Sequence, residues 1–422
     1  MGEARLRTAV AVVIWIILIV SVTAWRKGVY FEGDFDGIVI AKGALQGVAL
    51  GMALLVRRAA ATAFPVAGGP VLAVLAVLAI SLLGAVQSGS TTASAVLAVR
   101  IVLLMVTVVL LVSVFPRGEI LKQLVIATGT VGAVLAVSGI STLGGGGRLE
   151  GTIIPISPNG LVVLCAIPAL AGIHRVISGH ATIGAIVGAC FYTLACVATQ
   201  SRTALLGMTV AIVILILGVR TIQRSIAVVM IVAVPVLLVV AVHTTFFASI
   251  LTREDSRYDL TLNSRTIAWQ VVLQTPFESL QKWVGAGLSV KTVHVQGQYW
   301  NEQVLDSSWV SALAQTGLVG TAILAAVVVT VLTVNVRAGF GNVLPVAVLV
   351  FLLIRSFLET GLLDSSVTFL VFFALASAFL PARHGRNGID AQSRSAPAGQ
   401  RSRSLTGPTS WVPEGTRSNA AI

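Results

Sequence analysis

The chain has 422 residues, a mean hydropathy of +0.96 and a hydrophobic share of 56%, against only 10% charged residues. A soluble domain carries about 25% charged residues, so the composition excludes an ordinary soluble enzyme and places most of the chain in lipid. The net charge of +12 calls for no nucleic acid, because basic loops beside anionic headgroups account for much of it.

A membrane-crossing helix needs about 20 apolar residues. Runs of that kind fall at 8–24, 38–56, 66–87, 95–115, 121–140, 160–178, 181–198, 202–219, 225–246, 307–335, 340–362 and 365–382. They predict an all-α, polytopic transmembrane bundle of about twelve spans over residues 1–382. The first run lacks a small-residue cleavage site and is read as a helix rather than a removed signal. Cys165, Cys190 and Cys196 all sit in apolar runs, without metal-like spacing, and read as thiols used in packing.

Lys and Arg in short connections set orientation. With the N-terminus inside, the inner connections hold Arg57, Arg58, Arg117, Lys122, Arg175, Arg220, Arg224 and Arg337. The outer connections then hold most of the acids, including Glu32, Glu150, Glu302, Asp306 and Asp364, with Arg26 and Lys27 as exceptions. This predicts a multi-pass plasma-membrane protein with both termini cytoplasmic. Residues 247–306, between spans nine and ten, form one long outer segment whose amphipathic and Trp-rich stretches predict a helical extracytoplasmic loop. Residues 383–422 are rich in Ser, Arg, Gly and Pro, and read as a disordered, basic cytoplasmic tail.

Charges inside spans are costly, so their positions are informative. Arg100 lies in span four, and Arg355 in span eleven has Glu359 at the i,i+4 spacing that allows pairing. Several outer helix starts carry polar clusters: Ser157-Pro158-Asn159, Ser201-Arg202-Thr203, Asn263-Ser264-Arg265, Asp306-Ser307-Ser308 and Asp364-Ser365-Ser366. A helix N-terminus offers unpaired N–H groups and partial positive charge. With Arg148, Arg202, Arg265 and Arg355 on the same face, these groups would suit a phosphate or pyrophosphate. Ordinary caps at a polar interface are the alternative for each motif taken singly.

Four stretches resemble the O-antigen ligase and O-antigen polymerase superfamily of bacterial membrane glycosyltransferases. Gly147-Arg148-Leu149-Glu150-Gly151 followed by Ser157-Pro158-Asn159-Gly160 resembles its Arg–Gly then Pro–Asn signature. Gln200-Ser201-Arg202-Thr203-Ala204-Leu205-Leu206-Gly207 resembles its Ser–Arg helix start. Asn263-Ser264-Arg265 with Trp269, then Gly285-Ala286-Gly287, is similar to the opening of its large outer loop. Asp306-Ser307 and then Gly317-Leu318-Val319-Gly320 resembles the motif that closes that loop. The resemblance covers about residues 90–380.

The resemblance implies a GT-C-like fold and a donor glycan on a polyprenyl pyrophosphate carrier, with no metal, cofactor or nucleotide sugar. Its ligases usually carry His at the place of Asp306, which leaves polymerisation of repeat units and transfer to a glycan or lipid acceptor both open. It implies Arg202 and Arg265 as pyrophosphate-stabilising catalytic residues, with Arg148 and Arg355 in support and Asn159 as a further substrate-binding residue. Asp306 would accept or orient the acceptor hydroxyl. A free carboxylate titrates near ~3.9 and is a weak base at neutral pH, so Glu302 and His294 in the same loop are further substrate-binding candidates. The partners expected are the lipid-linked donor, the acceptor, membrane lipids and other polysaccharide-assembly proteins. A lipid-linked-sugar transporter, or a non-catalytic assembly protein, is the rival class.

Overall fold

The computed structural model describes residues 2–25, 37–144, 147–218, 260–295 and 302–380. The helices are α1 (Gly2–Val22), α2 (Gly37–Ala59), α3 (Gly68–Ser88), α4 (Thr91–Val112), α5 (Arg117–Ser138), α6 (Pro158–Ile177), α7 (Ile183–Ala198) and α8 (Arg202–Gly218). Then follow α9 (Leu260–Leu273), α10 (Leu280–Val284), α11 (Ser308–Arg337), α12 (Val343–Ser356) and α13 (Val367–Phe379). Seven of them are long and apolar enough to cross a membrane: α1 to α6 and α11. The four shorter apolar helices α7, α8, α12 and α13 fall where spans seven, eight, eleven and twelve were expected. The expected ninth span at 225–246, Glu32 of the expected outer acids, and the tail at 383–422 lie outside the described residues.

α6 and α13 form the centre. Residues Leu161 to Ala171 and the whole of α13 are buried, the behaviour of helices that are apolar all round and enclosed by others. Thirteen residues of α13 span about 20 Å at 1.5 Å per residue, short of the roughly 30 Å hydrocarbon core. The non-helical turn before it, 357–366, must therefore have its backbone groups bonded by protein. Ser308 meets that need: its N–H donates to the Glu359 carbonyl at 3.1 Å, its Oγ donates to the same carbonyl at 2.7 Å, and it accepts from Leu362 N at 3.3 Å.

Small residues and polar side chains join the helices, since lipid offers no hydrophobic drive for their association. Trp15 of α1 donates to Gln123 Oε1 of α5 at 3.1 Å, and Tyr192 of α7 donates to the Gly129 carbonyl at 2.9 Å. A Cβ on Gly132 would stand 3.0 Å from the Leu164 carbonyl oxygen, so α5 and α6 meet nearly backbone to backbone there. Cys165 and Cys196 are buried as expected, whereas Cys190 is exposed.

The long loop departs from expectation. Besides α9 and α10 it contains an antiparallel ladder of β1 (Thr292–His294) and β2 (Glu302–Val304), with Thr292 opposite Val304 and His294 opposite Glu302. Among the described residues the fold is thus mostly helical with one small sheet, where an all-α loop was predicted. Alternating residues in 292–294 place Val293 against a small apolar cluster of Ala268, Val272 and Leu305, which is a strand's use of period two. The helix of the loop is already running at Leu260, so Asn263-Ser264-Arg265 lies inside α9 and not at its start.

The loop is fastened to the bundle by glycines. α11 breaks at Gly317 (φ 63°, ψ −168°), a left-handed value that favours glycine. The break frees carbonyls that a continuous helix would use. Ala286 N donates to Ala314 O at 2.9 Å and Gly287 N to Gln315 O at 3.1 Å. A Cβ on Gly285 would lie 2.3 Å from Gln315 C, one on Gly84 2.4 Å from Gly285 O, and one on Gly317 2.2 Å from Trp283 C. Ser88 and Ser90 then donate to the Ala286 carbonyl at 2.7 and 3.0 Å. The Gly-x-Gly segment thereby lies among the end of α3, the start of α4 and the kink of α11.

Candidate active site

The expected polar residues gather at the end of the bundle that carries the long loop. The opposite end holds the 60–67 and 113–116 turns and the last turn of α13, tied by Phe64 N to Ser113 O at 2.8 Å and Ala67 N to Ser377 O at 3.4 Å. Arg57 and Arg58 end α2 and Arg117 starts α5, so these basic residues also lie at that opposite end.

α6 starts where its sequence directs. Ser157 caps it by accepting from Gly160 N at 3.2 Å, and Pro158 occupies the first turn, a position where its missing N–H costs nothing. Asn159 is thereby fixed at the helix entrance. Its side chain joins two charged residues from elsewhere in the chain: Oδ1 accepts from Arg148 Nη2 at 3.2 Å, and Nδ2 donates to Glu359 Oε1 at 2.5 Å. Its backbone carbonyl accepts from Arg355 Nη2, also at 2.5 Å. Arg355 is 5% exposed. It donates further to Thr368 Oγ1 at 3.1 Å and stands 3.9 Å from Glu359 Oε2. An unpaired charge in a span costs roughly 2.5–3.5 kcal/mol on insertion scales, which these acceptors offset.

Arg148 reaches a second element. Its Nε donates to the Thr199 carbonyl at 2.9 Å, and Leu149 N donates to Ala198 O at 2.9 Å. This pins the turn between α7 and α8. Within that turn Gln200 has φ 52°, the one positive-φ residue other than glycine among the described residues. A side chain in that region costs about 1–2 kcal/mol, and such strain collects at functional positions. Two residues later Arg202 opens α8, exposed and with no hydrogen-bond or ion-pair partner among the described residues. Arg148 and Arg202 therefore stand on two sides of one strained, anchored turn.

The remaining candidates are placed differently. Asp306 is half-buried, with its N–H donating to Val304 O at 3.1 Å, and lies two residues before Ser308, which holds the Glu359 carbonyl. His294 and Glu302 are exposed, face each other across the ladder, and make no hydrogen bond to Arg148, Asn159, Arg355 or Glu359; Glu302 accepts from Thr292 Oγ1 at 3.2 Å. The side chain of Arg265 lies outside the described residues. Ser366 caps its own helix by accepting from Phe369 N at 3.1 Å and donates to the Gly361 carbonyl at 2.7 Å, and Asp364 pairs with Lys291 of the loop.

Thr199 and Thr368 bond into this cluster without a motif to announce them, since one acts through its carbonyl and the other through a distant partner; Ser308 stood in the Asp306-Ser307-Ser308 helix start, which gave no sign of Glu359 as its partner. Glu359 had a signal in its spacing from Arg355. The helix between them ends at Ser356, yet the pair still forms because the turn folds back.

A polytopic helical membrane protein with a polar network at one end of its bundle is the class that this fold and this cluster define. Residues 186–325, running from α7 into α11, match the family model described as O-antigen ligase, which supports the resemblance to the O-antigen ligase superfamily. Arg202, Arg265 and Asp306 fall inside the matched stretch; Arg148, Asn159, Arg355 and Glu359 fall outside it. No curated protein matches the chain.

Proposed function

We propose that this protein is a membrane glycosyltransferase of the ligase and polymerase type, with about twelve spans and a GT-C-like fold. It takes an oligosaccharide from a polyprenyl pyrophosphate carrier at the outer face of the membrane and transfers it to a glycan or lipid acceptor in surface or exopolysaccharide synthesis. The observation that carries this reading is the anchored turn between α7 and α8. Arg148 grips the Thr199 carbonyl, and Arg202 is left exposed at the helix start two residues beyond the strained Gln200.

The acceptor hydroxyl attacks the anomeric carbon as the bond to the pyrophosphate breaks, and the leaving group takes the electron pair. Fixed cations and N–H donors aimed at that growing charge supply the electrostatic stabilisation that is usually the largest catalytic term. Arg202, at the N-terminus of α8, and Arg265 meet the pyrophosphate, supported by Arg148. Arg355, bonded through its two terminal nitrogens to Thr368 and Asn159 and lying beside Glu359, serves the structure of the site. Asp306 orients the acceptor and receives its proton. Basic residues at the opposite end of the bundle (Arg57, Arg58 and Arg117) support placing that end, and both termini, in the cytoplasm.

The test is deletion of the gene in its host, with lipid-linked and surface glycans sized on a gel. Collapse of long polymer to single lipid-linked repeats, unrescued by Arg202→Ala, identifies a polymerase that uses this site. Accumulation of long lipid-linked polymer identifies a ligase. An unchanged glycan profile overturns the proposal.

A further inference from the structure

We infer that Glu359 is a positioning residue that, through Asn159, sets Arg148 for the pyrophosphate; the inference rests on the glycosyl-transfer reading above. The geometry points to it in three ways. First, Glu359 is the meeting point of three helix ends. Its carboxylate takes Asn159 at the start of α6 and Arg355 on α12, while its carbonyl takes both the N–H and the hydroxyl of Ser308 at the start of α11. Second, the carboxylate is enclosed, with the side chain 17% exposed beside an Arg355 side chain at 6%. It is held among protein groups rather than offered to solvent.

Third, the order of bonds has a direction. An ionised carboxylate only accepts hydrogen bonds, while an amide has one end that donates and one that accepts. Glu359, which only accepts, and Arg148, which only donates, therefore demand the same orientation of Asn159: Nδ2 turns toward the carboxylate, and Oδ1 faces Arg148. The Arg148 guanidinium is then fixed at Nη2 by Asn159 and at Nε by Thr199. With two of its nitrogens held, the group keeps one orientation toward the turn that carries Arg202. Replacing Glu359 by Gln removes one of these two constraints and the charge that strengthens the bond to Asn159, because a neutral Gln amide can meet either end of the Asn159 amide.

The test exploits a conflict of signs. Glu359→Gln adds one positive charge to the cluster, so a purely electrostatic effect would tighten the binding of a pyrophosphate. A positioning effect loosens it. Farnesyl pyrophosphate is titrated onto the full-length protein in detergent, and glycan transfer is measured beside it. Glu359→Gln is expected to bind the probe about tenfold more weakly and to lose up to about 100-fold in turnover through misplacement of Arg148, with thermal unfolding unchanged.

The double variant Asn159→Asp with Glu359→Gln reverses the roles. Asp at 159 can only accept, so it takes Arg148 on one oxygen and the Gln amide on the other. This variant is expected to recover most of the binding and turnover. Equal or tighter probe binding by Glu359→Gln would overturn the inference, as would failure of the double variant to recover while folding normally. If the single variant does not fold, recovery by the double variant still decides the matter. A wild-type protein that does not bind the probe would instead overturn the functional reading beneath it.

Discussion

The glycine contact under the long loop and the polar network around Asn159 fasten the same end of the bundle by opposite means. The first works by the absence of atoms: Gly84, Gly285 and Gly317 let three backbones approach to distances at which no Cβ fits. The second works by the presence of charge: Arg148 and Glu359 meet through the two ends of the Asn159 amide, and Arg355 joins them through the Asn159 backbone carbonyl. Shape of the first kind tolerates no change and decides whether the loop sits on the bundle at all. Charge of the second kind tolerates isosteric change in folding and shows its effect in chemistry. Damage to the first should therefore appear as loss of protein, and damage to the second as loss of product.

The hardest test of that contrast is Gly285→Ala. The added methyl collides with the Gln315 backbone at 2.3 Å and must also adopt φ 77°, at a combined cost of roughly 3 kcal/mol or more. It is expected to lower the yield of monodisperse protein and the unfolding temperature together; wild-type values for both would break the comparison on its first side. Next in size is Arg202→Ala, expected to reduce glycan transfer roughly 100- to 1000-fold while membrane insertion and unfolding stay as in the wild type. Combining it with Arg265→Ala should remove product altogether, and retained turnover would break the second side.

A smaller effect sharpens the boundary between the two. Trp309 donates to Ser356 Oγ at 3.0 Å between α11 and the end of α12, so Trp309→Phe should lower stability by about 1 kcal/mol, read by thermal unfolding, with little change in turnover. Of similar size is Gly179→Ala. Gly179 also has a positive φ of 76°, but nothing lies within 4 Å of its built Cβ, so the cost is limited to backbone strain of about 1 kcal/mol. A large loss at Gly179 would show that φ alone, and not close approach, makes the loop glycines irreplaceable.

Parts of this site were legible residue by residue. Ser157-Pro158 announced the start of α6, and the structure begins the helix there, because capping and proline chemistry are local. Arg355 and Glu359 were readable as a pair from their spacing. Asn263-Ser264-Arg265 read as a helix start but lies within a helix, since the apolar pattern from Leu260 carries the helix past it. The helical reading of the long loop missed the ladder at 292–294 and 302–304, because a three-residue strand is too short for its alternation to stand out from an apolar helix pattern. The meeting of Arg148 with Thr199 left no trace at all, as a backbone carbonyl has no residue type.

What the sequence determined by itself is the apolar framework: which runs form helices, where serine and proline start them, and which motifs place the chain beside the O-antigen ligase family. These follow from local rules, since hydropathy, caps and breakers act over a few residues. The tertiary structure alone decided that Asn159 lies between Arg148 and Glu359, that Gly285 sits in the kink of α11, and that Lys291 of the loop meets Asp364. Those pairings join residues far apart in the chain. They are set by which helices pack together in a medium without hydrophobic drive, where close backbone approach and satisfied polar groups select the arrangement.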